Sequence, residues 1–193
     1  MRKYFYLIAI LFIFSSCGYK SLSNNQISTI NVPYIQGDSD GMLTSSIIKE
    51  LEDSGKFNFK KKKSKLQLIA SVISDGQEQI GYKHDRHKDG TVKKNVIPIE
   101  GRNTTKVKVS LIQKDTNNEV FGPFIFTSFA DYDYVDEDSL NDLSFINPQN
   151  QRQTVLSFSL GQLESIASAQ TAAKQNVYKK LAKQIVDAIC AVY

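Results

Sequence analysis

The stretch Thr105-Lys106-Val107-Lys108-Val109-Ser110-Leu111 decides the fold class of this chain. Apolar or β-branched residues alternate with polar ones along it, and this alternation predicts a β-strand with one buried and one solvated face. The same alternation occurs before it, over 66–72, and after it, over 120–134. Because no helical pattern separates these segments, we expect them to form a meander of neighbouring strands.

Two helical patterns flank the meander. Leu43, Ile47 and Leu51 recur at helical spacing, and Gly55 stands where a left-handed residue would end the helix. A longer pattern covers about 159–192 and presents one apolar stripe to the core. The stripe consists of Ala173, Val177, Leu181, Ile185, Val186 and Ile189. Small residues over 167–173 favour close packing of the first half of this helix.

An initial strand precedes the first helix. Ile30, Val32 and Tyr34 share one face of the segment 27–34. Pro33 predicts an edge position or the end of this strand, because proline cannot donate to the ladder. Strands grouped in runs predict an α+β fold, with two helices packed on one face of a four-stranded mixed, mostly antiparallel sheet. The other face of the sheet is left for solvent or a partner.

The connections between these elements are polar. Phe57 and Phe59 begin a short extended segment after the first helix. Residues 84–95 are charged and predict a long hairpin tip or a mobile loop. Pro123 predicts an edge position or a bulge in the last strand of the meander. The polar segment 136–152 predicts a loop before the second helix.

The first seventeen residues differ in character from the rest. Arg2 and Lys3 precede an apolar run over 4–14, which has the length of a secretory signal core. This run is too short to span a bilayer, which takes about 20 apolar residues. It ends in Phe14-Ser15-Ser16-Cys17, which resembles a bacterial lipobox. The alternative is an ordinary signal peptide followed by an incidental cysteine.

The lipobox divides the chain into parts. Residues 1–16 are interpreted as a lipoprotein signal peptide, 17–26 as a lipidated tether and 27–193 as a single α+β domain. Cys17 would be the lipid attachment site and carry acyl chains such as palmitate; more than one chain anchors a protein stably. Gly18 resembles the outer-membrane sorting default. We therefore expect an outer-membrane, lipid-anchored protein that faces the periplasm.

Charge and cysteine content exclude other classes. The chain has 193 residues and a formal net charge of +4, of which Arg2 and Lys3 would leave with the signal peptide. This net charge is too small to indicate the basic surface of a nucleic-acid-binding protein, so no nucleic-acid partner is expected. Cys190 is the only other cysteine and predicts a small buried residue, with an intermolecular disulfide as the alternative. No second stretch is long and apolar enough to cross a membrane.

No pattern in the sequence predicts an active site. His84 and His87 are spaced for one metal ion, but no third ligand group accompanies them, and a solvated loop fits better. The acidic residues over 131–142 lack the ligand spacing and the glycine of an EF-hand. No serine nucleophile with an ordered base, phosphate-binding glycine loop or paired-cysteine motif occurs. We therefore expect no enzyme, no catalytic residue, no metal and no cofactor.

Basic residues indicate a different kind of site. Lys106 and Lys108 project to the same side of the predicted strand and could form a cationic row opposite phosphate groups. Arg102 lies close to them in sequence. For each residue the alternative is an ordinary polar strand face. A lysine run over 60–63 is typical of a solvated surface or of attraction to an anionic membrane.

Taken together, these features resemble a known family, the lipopolysaccharide-assembly lipoproteins LptE of Gram-negative outer membranes. The resemblance is carried by Cys17-Gly18-Tyr19, Asn31-Val32-Pro33-Tyr34, Phe129-Ala130-Asp131-Tyr132-Asp133 and the run 182–189. It covers the whole mature chain through short motifs. The family fold, two helices on a small mixed sheet, agrees with the fold predicted from the residues.

The resemblance implies a binding function. Members of this family plug the outer-membrane β-barrel translocon LptD, help it to fold and bind lipopolysaccharide on its way to the outer leaflet. The family binds lipopolysaccharide through basic side chains, and Arg102, Lys106 and Lys108 are the candidates here by charge and location. The opening strand and helix also resemble lipoproteins that activate cell-wall synthases or form secretion pores. These functions are the alternative.

Overall fold

The structure is a computed structural model. It describes residues 27–87, 91–134, 144–154 and 166–193. In chain order, the elements are β1 (Ser28–Asn31), α1 (Met42–Asp53), β2 (Phe57–Phe59), β3 (Leu66–Arg86), β4 (Val92–Gln113), β5 (Asn118–Asp133), β6 (Ser144–Ile146), β7 (Arg152–Thr154) and α2 (Ile166–Val192). The signal peptide, Cys17 and the tether lie outside the described residues, as do residues 159–165 of the predicted second helix.

The main sheet is mixed and has the strand order β2-β1-β3-β4-β5, while β6 and β7 form a separate two-stranded sheet. β1 runs parallel to both β2 and β3, whereas β3, β4 and β5 are antiparallel neighbours. The α+β class, the two helices and the mixed sheet are confirmed, but the main sheet has five strands rather than four. The additional strand is β2, which is too short to show a period and is formed by pairing with β1.

Both helices cover one face of the main sheet. α1 buries the three apolar residues that predicted it, and α2 buries all six residues of its predicted stripe. Among the small residues over 167–173, only Ala169 and Ala173 are buried, so close packing is limited to these two. The inward residues of β4 over 107–111 have no exposed surface. Cys190, expected to be buried, is partly exposed beside this core.

β1 is shorter than its sequence pattern. It ends at Asn31, just before Pro33, which confirms that the proline marks the end of the strand. Two of the three residues assigned to its inner face are buried as expected. Tyr34, the third, is 64% exposed because the chain has already left the sheet. Its hydroxyl donates a hydrogen bond to the carbonyl oxygen of Asp38 instead.

The hairpin of β3 and β4 departs most from the sequence-based expectation. Residues 84–95 were expected to form a long hairpin tip or mobile loop, but 84–86 continue β3 and 92–95 belong to β4, while 88–90 lie outside the described part of the chain. The hairpin alternative is confirmed by the pairing of His84 with Val96 and of Arg86 with Val92. The loop alternative is wrong for the described residues, because charged residues on paired, solvated strands resemble a loop when the partner strand is unknown. β5 pairs with β4 only from Glu100 onward. Residues 81–87 and 91–99 therefore form a two-stranded extension, here termed the arm.

β5 is the last strand at one edge of the main sheet among the described residues. Pro123 lies where the register between β4 and β5 shifts, opposite the step from Val109 to Leu111, which confirms the expected edge position and bulge. Further along the strand, the ammonium group of Lys180 in α2 donates a hydrogen bond of 3.2 Å to the carbonyl oxygen of Phe129. A helix side chain thereby pairs with the backbone of the edge strand.

The segment 136–152, expected to be a loop, contains secondary structure at its carboxy-terminal end. β6 and β7 pair there in an antiparallel manner around a short turn. The side-chain oxygen of Asn147 accepts backbone hydrogen bonds from Gln149 at 3.1 Å and Gln151 at 2.8 Å. Asparagine stabilises turns in this way by satisfying nearby backbone groups, so a polar segment can hold a hairpin. Residues 135–143 lie outside the described part of the chain.

Candidate functional site on the uncovered sheet face

The basic residues singled out from the sequence lie on the side of the main sheet that the helices leave uncovered. Along β4, Thr105, Val107 and Val109 are buried, whereas Lys106 and Lys108 between them are exposed. Because side chains alternate across a strand, both lysines project from the uncovered face, roughly 7 Å apart along β4. Their assignment to lipopolysaccharide binding stays a prediction.

Exposed apolar side chains surround the two lysines. Pairing between β4 and β5 places Lys108 opposite Ile125, and Thr104 opposite Phe129. The open face is the set Ile69, Ile73, Lys106, Lys108, Ile125 and Phe129. The exposed fraction of its apolar members runs from 43% for Ile69 to 63% for Ile125. Apolar residues that are exposed as a cluster, rather than singly, mark an interaction surface.

Arg102 lies on the same side of the sheet but is already engaged. Its guanidinium donates two hydrogen bonds to the carboxylate of Asp131, from Nε at 2.6 Å and from Nη2 at 2.9 Å. The guanidinium carbon also lies 4.5 Å from the ring centroid of Phe129. The hydrogen bonds that Arg102 donates to Asp131 raise the pKa of Arg102, and the same bonds hold the pKa of Asp131 below its usual value. The structure thus separates Arg102 from the two lysines with which the sequence grouped it.

Lys106 and Lys108 have no such partner. Within the ranges that the structure describes, neither ammonium group takes part in an ion pair or a hydrogen bond. An ammonium group has three donors and no acceptor, so both lysines keep their donors available for an anionic group. The open face therefore combines two available cations with apolar surface, which suits an amphiphile that has an anionic head.

A shallow depression adjoins the open face. It has a volume of about 280 Å³ and is lined by Gly76, Gln77, Glu78 and Thr104. Gly76 helps to create it, because no atom lies within 4 Å of the position that a Cβ would take. Gly76 pairs with Thr104, which in turn pairs with Phe129, so the depression lies on the same side of the sheet. Its small volume fits a ligand that lies on the surface rather than one that is enclosed.

A buried carboxylate, which the sequence analysis missed, organises the start of α1. Asp38 has no exposed surface. Its side chain accepts hydrogen bonds from the backbone N–H of Leu43 at 3.3 Å and of Thr44 at 2.8 Å, and from the Thr44 hydroxyl at 2.7 Å. The signal that could have found it is the aspartate just ahead of a helical pattern, where a carboxylate satisfies free N–H groups. Its role is structural.

A second polar contact ties the two helices to the sheet. The Lys174 ammonium lies 3.6 Å from the carboxylates of both Asp40 and Asp75. Burial acts to lower the pKa of Lys174, but its interactions with Tyr178 and the two aspartates outweigh burial and raise the pKa. Each carboxylate is therefore compensated by the same cation, and the cluster serves to position α2.

Metal clusters and membrane-spanning helices are both absent from the described ranges. His84 lies on β3 and His87 directly follows its last residue. No group of three or more histidine, cysteine, aspartate or glutamate side chains within these ranges could hold an ion. None of the helices in the same ranges combines the length and the hydrophobicity needed to cross a bilayer.

Comparison with known proteins yields likeness in structure alone. No protein-family model matches the chain, and no curated protein matches it in sequence. A minor lipoprotein from Acinetobacter baumannii is similar at 15% identity and a TM-score of 0.45, covering 86% of this chain and 92% of its own. Rare lipoprotein B from Shewanella oneidensis is similar at 12% sequence identity and a TM-score of 0.43, and the match covers 84% of this chain and 94% of that protein. A DUF330 protein from Xanthomonas campestris is similar at 12% sequence identity and a TM-score of 0.48, and the match covers 82% of this chain and 81% of that protein. At these values no family, partner or activity follows for this chain.

Proposed function

We propose that the chain is an outer-membrane lipoprotein, anchored through Cys17, that binds and plugs an LptD-like β-barrel and assists lipopolysaccharide assembly at the cell surface. In this proposal the protein acts by binding and is not an enzyme. The observation that carries the proposal is the pair Lys106 and Lys108, which are exposed and without an acidic partner in the described part of the chain, next to Ile125 and Phe129.

The chemistry of lipopolysaccharide supports this assignment of the open face. Its lipid portion presents phosphate groups and acyl chains together. Ammonium groups bind phosphate through charge-assisted hydrogen bonds, which are stronger than neutral ones. An acyl chain that covers Ile125 and Phe129 removes apolar surface from water, which contributes about 25 cal/mol per Å². Arg102 contributes less, because Asp131 already occupies its two outward donors.

The exposed apolar side chains also support a protein partner. An antiparallel sheet tolerates one solvated face, but polar side chains normally occupy such a face. Ile69, Ile73, Ile125 and Phe129 break this rule on the open face. A barrel wall or an extended segment of the barrel protein that covered them would remove this surface from water.

The first test is purification of the full lipidated chain from its native membrane in mild detergent, followed by mass spectrometry. A large β-barrel protein in stoichiometric amount is the expected result. Two results would contradict the proposal: co-purification with a cell-wall synthase, or purification of the chain alone as a ring-shaped oligomer. Either result would favour the alternative, a lipoprotein that activates a cell-wall synthase or forms a secretion pore.

The second test addresses the open face directly. Substituting Lys106→Glu together with Lys108→Glu should lower the affinity of the full lipidated chain for lipopolysaccharide at least about tenfold, the loss expected from one charged hydrogen bond or more. The double substitution Lys61→Glu and Lys62→Glu makes the same charge change at exposed positions off the sheet. An equal loss of affinity in both variants would show that only overall charge matters.

A further inference from the structure

The arm has two unlike sides. On one side Asp85, only 8% exposed, forms an ion pair with Lys93. The Asp85 carboxylate also accepts a hydrogen bond of 3.4 Å from the side-chain amide of Asn95. These polar groups compensate one another within the hairpin.

The other side combines apolar and basic side chains. It is formed by three alternating residues of β3 and their partners on β4. The pairs are Tyr82–Pro98, His84–Val96 and Arg86–Val92. Tyr82, Val92 and Val96 are 56%, 55% and 54% exposed, and Lys94, between the two valines, is exposed as well. The arm surface is the set Tyr82, His84, Arg86, Val92, Lys94 and Val96.

The charge of the arm is one-sided. Its described residues include the cations Lys83, Arg86, Lys93 and Lys94 against a single carboxylate, Asp85. That carboxylate is buried against Lys93, and the described residues of the arm carry more positive than negative charge. An anionic partner is therefore favoured. Because an isolated two-stranded hairpin is only marginally stable in water, covering its apolar side chains would also stabilise it.

We propose that the arm surface docks onto the headgroup region of an anionic lipid bilayer. Tyr82, Val92 and Val96 would enter the boundary between headgroups and acyl chains, where the amphipathic ring of tyrosine is favoured. Lys94 and Arg86 would approach the lipid phosphates, and each cation near an anionic leaflet is attracted to it. Alternation of apolar and basic residues distinguishes this surface from a site for a purely anionic polymer, which gains nothing from exposed valines.

The arm lies far enough from the amino-terminal end of the domain for this contact to orient the domain on the membrane. Gly81, where the arm begins, lies about 15 residues beyond Leu66, roughly 50 Å along the strand at 3.3 Å per residue. Leu66 pairs with Ile30 of β1, close to Ile27, where the described chain starts. In this proposal the arm meets the bilayer far from the amino-terminal end of the domain. Together with the proposed lipid anchor at Cys17, this contact would fix the orientation of the domain on the membrane surface.

The test uses the chain from residue 18 onward, without acyl chains. The described core involves only residues from 27 onward, so this chain keeps every contact of the described core. In flotation assays, we expect the chain to bind vesicles of phosphatidylglycerol and phosphatidylethanolamine. Its partition coefficient for vesicles of pure phosphatidylcholine should be at least about tenfold lower. Lys94→Glu should lower the partition coefficient roughly tenfold, because it replaces an attracted charge with a repelled one. Tyr82→Ser combined with Val96→Ser should also lower it about tenfold, through lost apolar contact.

The matched controls are Val192→Ser, an exposed residue at the end of α2, and Lys114→Glu in the turn between β4 and β5, which should leave vesicle binding within about twofold. Absence of binding to anionic vesicles overturns the proposal, as does equal binding to phosphatidylcholine. Retained binding in both arm variants, or an equal loss in the controls, overturns it too. Lys94→Glu keeps the test decisive even where the double apolar variant does not fold. Barrel recovery and the Lys106 and Lys108 variants test the proposed function separately.

Discussion

Arg102 of β4 and Asp131 of β5 are direct cross-strand partners joined by two hydrogen bonds of 2.6 and 2.9 Å. Asp131 therefore competes with any anionic ligand for an arginine that adjoins the open face. Replacing Asp131 with asparagine should release this guanidinium and raise the affinity of the full chain for lipopolysaccharide about three- to tenfold, measured by titration.

Asp133 provides the control for this gain. It is exposed, projects from the same side of β5 and forms no ion pair among the described residues. Asp133→Asn removes the same charge without releasing an arginine, so its affinity should rise less. An equal rise in the two variants would mean that net charge, rather than the release of Arg102, governs binding.

Asp40 makes stability depend on pH in the acid range. Burial acts to raise the pKa of Asp40, but the hydrogen bond from the Met42 N–H and the charge of Lys174 outweigh it and lower the pKa. A lowered carboxyl pKa contributes stability that is present above the unfolded-state pKa and is lost as pH falls through the folded-state pKa. The native chain should therefore lose more stability than Asp40→Asn between about pH 5 and pH 2.

The size of this effect should be small, because Asp40 is 37% exposed and solvent screens its interaction with Lys174. We expect about 1 kcal/mol or less at neutral pH, measured by urea unfolding. Parallel stability curves for the native chain and the variant, down to about pH 2, would contradict the predicted contribution.

Asp38 should matter more for folding than an exposed aspartate of the same helix region. Asp38→Ala removes the acceptor of three hydrogen bonds at the start of α1 and should lower the free energy of unfolding by about 2 kcal/mol. Asp53, the last residue of α1, is exposed, and Asp53→Ala should change the free energy of unfolding by less than about 0.5 kcal/mol. Chemical denaturation of both variants gives the comparison, and similar losses would contradict it.

Two strand glycines should respond differently to alanine. A Cβ at Gly101 would lie 2.5 Å from Cζ and 2.6 Å from the hydroxyl oxygen of Tyr132, so Gly101→Ala must displace a buried ring. We expect a loss of about 1–3 kcal/mol in the free energy of unfolding. Gly76 has open space instead, and Gly76→Ala should be neutral or slightly stabilising. Thermal unfolding distinguishes the two, and a loss at Gly76 equal to that at Gly101 would refute the packing argument.

Elements with a strong period could be predicted from the sequence. Val107, Val109 and Leu111 alternate with polar residues, and all three are buried under the helices. The stripe of α2 was predicted in full, because burial of one helix face requires apolar residues at fixed spacing. β2 was predicted only as an extended segment, because the place of a three-residue strand in the sheet is specified by its pairing with β1 rather than by its own pattern.

The missed parts of the candidate site depend on contacts between distant residues. The sequence grouped Arg102 with Lys106 and Lys108, but the register that pairs Arg102 with Asp131 emerges only when β4 and β5 are aligned. For a related reason, the sequence could not decide whether residues 84–95 of the arm form a hairpin tip or a loop. The polar residues of the arm, such as Asp85 and Lys93, compensate one another across the hairpin, and neither strand alone shows that compensation.

The contact between Lys180 and the carbonyl oxygen of Phe129 has a consequence for how the isolated chain behaves in solution. A long edge strand is a template on which other chains can add strands and grow into aggregates. On β5 the bulge near Pro123 interrupts the straight run of backbone, and the Lys180 ammonium occupies a backbone acceptor and adds charge beside it. The described edge of the sheet is therefore less open to the addition of a strand from another chain.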